Sequence, residues 1–146
     1  MAAQNTATNP VTETQATSIS KSRLWTARIM SWLVILFMLF DAIMKFIQPA
    51  AVVEGTTLLG YEQHHIVPIG ILALIPTILY AVPRTSILGA VLLTGFWGGV
   101  VATHVRIDNP LFSHILFPVY LAILAWGGLW LVNENLRNLF PLKKTT

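Results

Sequence analysis

Four long apolar segments leave this chain few ways to fold. They cover residues 29–47, 66–82, 87–105 and 115–132. A helix rises 1.5 Å per residue, so a hydrocarbon layer about 30 Å thick takes roughly 20 residues, with about 17 as the lower limit. All four segments reach that limit. The second only just does, and it carries Pro68 and Pro76; a kink at Pro76 or local thinning of the bilayer is the expected accommodation. A helix of a soluble bundle places polar residues at every third or fourth position. The runs "LVILFMLF", "VPIGILALIPTILYAV" and "LAILAWGGLWLV" have no such periodicity. Charged residues make up only 10% of the chain, where a soluble domain has about 25%, too few to cover a water-facing surface. Backbone groups in lipid must be satisfied internally, and four strands cannot close a barrel. The fold class is therefore all-α: a multi-pass membrane protein built as an antiparallel four-transmembrane-helix bundle, with helices over about 26–47, 65–82, 86–105 and 114–133.

The polar stretch over residues 1–22 has no hydrophobic periodicity and is expected to be a disordered cytoplasmic tail. It has neither a basic start nor an apolar core and is not a signal peptide. A single membrane domain over 23–142 follows, then a short basic tail at 143–146. Connections are short between the second and third helices ("PRTS") and between the third and fourth ("RIDNPLFSH"), which makes those pairs antiparallel neighbours. The first connection, "QPAAVVEGTTLLGYEQHH", has room for a surface helix or a loop folded over the bundle mouth. Lys21, Arg23, Arg28, Arg84, Arg137, Lys143 and Lys144 fall on one side of the membrane, Lys45 and Arg106 on the other. Positive charge concentrates on the cytoplasmic side, so both termini are expected in the cytoplasm, in a bacterial inner (plasma) membrane.

Ionisable residues inside a span cost roughly 2.5–3.5 kcal/mol each on insertion scales. Asp41 and Lys45 are the clearest cases. Four apart, they share a helix face, with the acid N-terminal to the base. Asp41 lies six residues, about 9 Å, below the end of its segment, and Lys45 can extend outward. Two readings are open: an ion pair that only lowers the insertion cost, or the polar wall of a ligand or proton site. The same outer mouth collects Glu62, His64 and His65 before the second helix, His104, Arg106 and Asp108 after the third, and His114 before the fourth. In the loop of the opposite mouth Arg84 stands alone. Asp41, Lys45 and Arg106 are thus the candidate polar pocket, with Glu62, His64, His65, His104 and His114 as its rim.

In the third helix Gly95, Gly99 and Ala102 form a small-residue stripe of the kind that lets helices approach closely, and packing is its expected role. Arg106, seven residues from Gly99, continues that stripe into the expected seam, whereas His104 is expected to face the other way. No HxxxH or ExxH pair puts two ligands on one helix face, so no metal or haem site is expected. The chain contains no cysteine, which excludes disulfides and thiolate chemistry. It also lacks a phosphate loop, a nucleophile elbow and an HExxH motif, and its basic residues form no nucleic-acid-binding stripe.

Taken in order, "RLWTARIMSWLVILFMLFDAIMKF", "LLGY", "IVPIGILALI", "AVPRTSILGAVLLTGFWGGVVATHVRIDNPLFSHILFPVYLAILAWGGLWL" and "NENLRNLFPL" resemble the DoxX-like family of small four-helix bacterial membrane proteins. The block "GGVVATHVR…NPLFSHILFP" carries most of the likeness. One departure is Ala73, where many relatives have an acidic residue; a proton or cation role resting on that carboxylate does not transfer. The resemblance implies association with quinone-linked redox complexes. The expected function is an accessory subunit of a redox-linked membrane complex, without a catalytic centre or resident cofactor of its own. The alternative is a quinone- or lipophile-binding oxidoreductase component using the polar mouth. The expected surroundings are the lipid bilayer and either a redox-enzyme partner or further copies of the chain.

Overall fold

The computed structural model describes residues 20–139, which are helical apart from turns and short loops, with no strand among them. Six α-helices follow one another: α1 (Lys21–Ile47), α2 (Ala50–Leu58), α3 (Ile66–Ala81), α4 (Ser86–Arg106), α5 (Phe117–Val132) and α6 (Glu134–Leu139). Of the tail expected over 1–22, only residues 20–22 are described; Lys21 and Ser22 already belong to α1, whose first turn is closed by the Leu24 N–H on the Ser20 carbonyl at 3.1 Å. "KSRLWTAR" holds no helix breaker, so α1 simply begins earlier than its apolar run. The basic tail at 143–146 lies outside the described residues.

Four helical stretches are long and apolar enough to cross a membrane: Lys21–Ile47, Gln63–Ala81, Ser86–Arg106 and Leu111–Val132. The second gains length from a 3-10 turn, Gln63–His65, that leads straight into α3. α3 then continues through Pro76, with the Thr77 hydroxyl donating to the Ala73 carbonyl at 2.7 Å. The fourth span begins with a π-helical turn, Leu111–Ile115, before α5. α1 is about 40 Å long, so its first turns, carrying Lys21 and Arg23, extend past a hydrocarbon layer of about 30 Å.

The helices pack as a ring, α1 against α3, α3 against α4, α4 against α5, and α5 back against α1. The core holds Val34, Met38, Tyr80, Leu93, Trp97, Leu121 and Leu129, set among Ala42, Ala73, Ala90 and Ala125, each of these alanines fully buried. Small residues let the backbones approach, because lipid supplies no hydrophobic drive to association and close van der Waals contact must replace it. The outward faces carry the large apolar side chains instead: Leu36, Phe40 and Ile123 are each about 60% exposed. Water would not tolerate that surface, and lipid matches it. Three side-chain hydrogen bonds tie together the half of the bundle that holds the N-terminal end of α1. Tyr80 donates to the Ala125 carbonyl at 3.0 Å and reaches the Ser31 hydroxyl at 3.1 Å, and the Trp126 indole N–H donates to the Thr94 hydroxyl at 2.9 Å.

The close helix contacts involve glycines other than the expected ones. A Cβ on Gly89 would stand 2.2 Å from the Tyr80 backbone nitrogen, and one on Gly128 would stand 2.7 Å from the Ser31 hydroxyl. Around Gly95 and Gly99 a Cβ would meet nothing within 4 Å, and Ala102 is exposed. The stripe of Gly95, Gly99 and Ala102 therefore packs against no helix of this chain. The buried face of α4 is formed by Gly89, Ala90, Leu93 and Trp97.

Candidate functional site

Because the half with the N-terminal end of α1 is tied and the C-terminal half of α4 is lined by glycine, the opposite half of the bundle, at the C-terminal end of α1, holds a half-open cavity of about 490 Å³. α1 contributes Phe37, Met38, Asp41 and Lys45; α3 contributes Ile69 and Leu72. From α4 come Gly95, Phe96, Trp97, Gly99, Val100, Thr103 and His104, and from α5 Phe117, Pro118 and Leu121. Thr56, Leu59 and Tyr61, from α2 and the segment after it, cover the outer end.

The Lys45 ammonium donates to Asp41 Oδ1 at 2.5 Å, with the Lys45 side chain 15% and the Asp41 side chain 31% exposed. The pair is thus half-withdrawn into the cavity wall. It presents a strong dipole with no net charge, which suits a neutral polar group better than an ion. Phe37 and Phe117 meet edge to face, with ring centroids 5.1 Å apart, and close the wall between α1 and α5.

The cover is held by specific contacts. α1 ends where Gln48 takes up a left-handed conformation (φ 52°), with its N–H on the Met44 carbonyl at 2.9 Å, and Pro49 prevents its continuation. α2 then runs to Leu58, and Gly60 (φ 83°) turns the chain back toward α3. The Arg106 guanidinium donates to the Leu59 carbonyl, and Gly60 leaves it room: a Cβ there would lie 2.8 Å from a guanidinium nitrogen. Tyr61 and Thr103 share a hydrogen bond between their hydroxyls at 2.9 Å.

This arrangement redistributes the residues expected at the mouth. Asp41 and Lys45 do line the cavity, but Arg106 does not; it is exposed and latches the cover. His104, expected to face away, is in the wall. It shares a 2.6 Å hydrogen bond between its Nδ1 and the Asn109 amide, and its ring lies 5.5 Å from that of His114. Arg106 does continue the stripe of Gly95 and Gly99, which borders the cavity, but it is the last residue of α4 and its guanidinium is held by the Leu59 carbonyl, whereas His104 lies seven residues from buried Trp97 and shares its side. His114 is exposed on the π-helical turn, where its Nδ1 lies 2.8 Å from the Ser113 hydroxyl. Glu62 and His64 form an exposed pair at 3.2 Å, and the rings of His64 and His65 lie against each other at a tilt of 40° with centroids 3.8 Å apart, all three outside the cavity wall. Among the described residues no group of three or more His, Asp or Glu is gathered as a metal site. Tyr61, Thr56, Thr103 and Trp97 were not legible as site residues; only Thr103, one turn from Gly99, had a helical register that pointed toward the cavity.

A sequence profile described as the DoxX-like family matches residues 29–128, a stretch that runs from early α1 into α5 and includes the whole cavity wall. The chain belongs to the DoxX-like family. Neither a curated protein nor a solved structure matches it. In this DoxX-like protein Ala73, where many relatives were expected to carry an acid, is fully buried among the core side chains.

Proposed function

We propose that this DoxX-like protein binds a small lipophile with a polar head inside the outer half of its bundle, as a ligand-binding component of a redox-linked membrane system. The observation that carries this reading is the cavity. Its volume of about 490 Å³ falls within the roughly 300–1,000 Å³ of small-molecule sites, and its wall is apolar with a few polar groups, as such sites are. A quinone fits that description: its ring suits the aromatic wall, and its carbonyl oxygens are acceptors for the Lys45 ammonium. The protein itself supplies position and exclusion of water, and electron transfer belongs to the ligand and to a partner. A second reading, an accessory subunit docked to a larger complex, is favoured by Gly98 and Ala102, small exposed residues of α4 that no helix of the chain covers.

One purification tests both. Extracted from native membranes in mild detergent, the protein should carry a lipophile at about one equivalent. Arg106→Ala should leave that stoichiometry unchanged, because Arg106 does not itself line the cavity. Recovery of the wild type with only bulk phospholipid would remove the binding reading. Elution without any stoichiometric protein would remove the accessory-subunit reading.

The orientation we propose, with both ends of the chain in the cytoplasm of a bacterial cell and the cavity mouth opposite, rests on the distribution of Lys and Arg. Since the chain contains no cysteine, single thiols report cleanly. A membrane-impermeant thiol reagent should label Gly55→Cys in intact cells, and Pro83→Cys only after permeabilisation. The opposite pattern would turn the bundle over.

A further inference from the structure

Trp97 is 3% exposed and belongs to the cavity wall. Its indole N–H is buried and has no hydrogen-bond partner. The contrast with Trp126, whose N–H donates to the Thr94 hydroxyl, is direct. Buried donors are almost always satisfied, and the hydrocarbon region supplies no water to do it. Met38, Phe96 and Leu121 also belong to this wall, and none of their side chains accepts a strong hydrogen bond. Trp97 belongs to the wall of the cavity, so a ligand held there is the candidate source of an acceptor for this N–H. Trp97 lies nine residues, about 14 Å, from the outer end of α4, whereas Asp41 lies only about 9 Å from the outer end of α1. Trp97 and Asp41 therefore belong to the cavity wall at two depths.

We propose that Trp97 is the specificity-determining residue of the cavity, donating its indole N–H to an oxygen acceptor, a carbonyl or an ether, on the buried end of the bound lipophile. The proposal rests on the reading that the cavity holds a lipophile. It adds that the inward end of that ligand is not plain hydrocarbon. A ligand with an oxygen at that end satisfies the orphaned donor; a hydrocarbon of the same shape leaves it unpaired and is rejected.

The test uses the full chain in nanodiscs and two probes of matched shape, a para-alkyl acetophenone and the corresponding α-methylstyrene, in which a methylene replaces the carbonyl oxygen. The wild type should bind the ketone at least tenfold more tightly. The ketone should also move the ¹⁵N-labelled Trp97 indole N–H resonance, assigned by its disappearance in Trp97→Phe, and the hydrocarbon should not. In Trp97→Phe, which keeps an aromatic ring in place, the preference should fall to within about twofold. If Trp97→Phe does not fold, benzothienylalanine at position 97 retains the shape of the indole without its N–H and carries the same comparison. Equal affinity for the two probes in the wild type, or a preference that survives the loss of the N–H, overturns the proposal while the binding reading stands. An indole proton that exchanges rapidly with water and ignores the ketone also overturns it, since water is then its partner. Binding of neither probe overturns the proposal together with the reading beneath it.

Discussion

Gly89→Ala lowers the stability of the folded bundle by about 3 kcal/mol, the upper part of the range for overpacking, and shows as a lowered midpoint of unfolding in detergent. The added methyl would stand 2.2 Å from the Tyr80 nitrogen, 2.5 Å from its Cα and 2.7 Å from the Leu79 carbonyl carbon. All three are backbone atoms in the last turn of α3, so no rotamer change relieves the clash. Nor can the helices easily part. The turn between them is short, and the Thr85 hydroxyl holds the Leu79 carbonyl at 2.8 Å. Separation would also pull Tyr80 from the Ala125 carbonyl and open the core. Gly98→Ala is the control: it lies on the same helix with nothing within 4 Å of the new methyl, and its effect should stay within about 1 kcal/mol, the scale of helix propensity. Equal midpoints for the two variants would show that α3 and α4 do not meet at Gly89.

Lys45→Met strands the Asp41 carboxylate in the cavity wall and costs about 2–3 kcal/mol of stability, as uncompensated charges in membrane helices do. Asp41→Asn/Lys45→Met removes both charges and should recover all but about 1 kcal/mol of that loss, since replacing both partners avoids leaving either unpaired. Ligand retention should separate from stability in this pair. The double variant, though folded, should lose the bound lipophile at least tenfold, because the dipole that receives its polar head is gone. Unfolding midpoints and the lipophile content of the purified variants measure the two effects. A double variant that is stable and still fully loaded would reduce Asp41 and Lys45 to a device for crossing the bilayer, the plainer of the two readings open from the sequence.

Both predictions concern side chains whose roles depend on which way a helix turns in the bundle, and this is where inference from the linear chain stops. The four spans were legible because hydrophobic length measured against membrane thickness needs no tertiary information: any run of "ILALIPTILYAV" character must be buried in something apolar. The ion pair of Asp41 and Lys45 was legible because residues four apart on a helix meet regardless of what surrounds them. The π-helical turn at Leu111–Ile115 and the early start of α1 were not, since both lie at helix ends where backbone hydrogen bonds and local contacts decide the boundary.

The amino-acid sequence by itself thus determined a four-span helical membrane protein with an internal salt bridge near the C-terminal end of its first span. Only the tertiary structure decided which glycines bring helices together and which border a cavity. It also moved Arg106 out to the cover and His104 into the wall, and it left the Trp97 N–H without a partner. The physical reason is that α4 is apolar on every side: its buried and lipid-facing surfaces are chemically alike, so composition cannot orient it. Contact with α3 and α5, through Gly89 and through Thr94 with Trp126, sets its rotation.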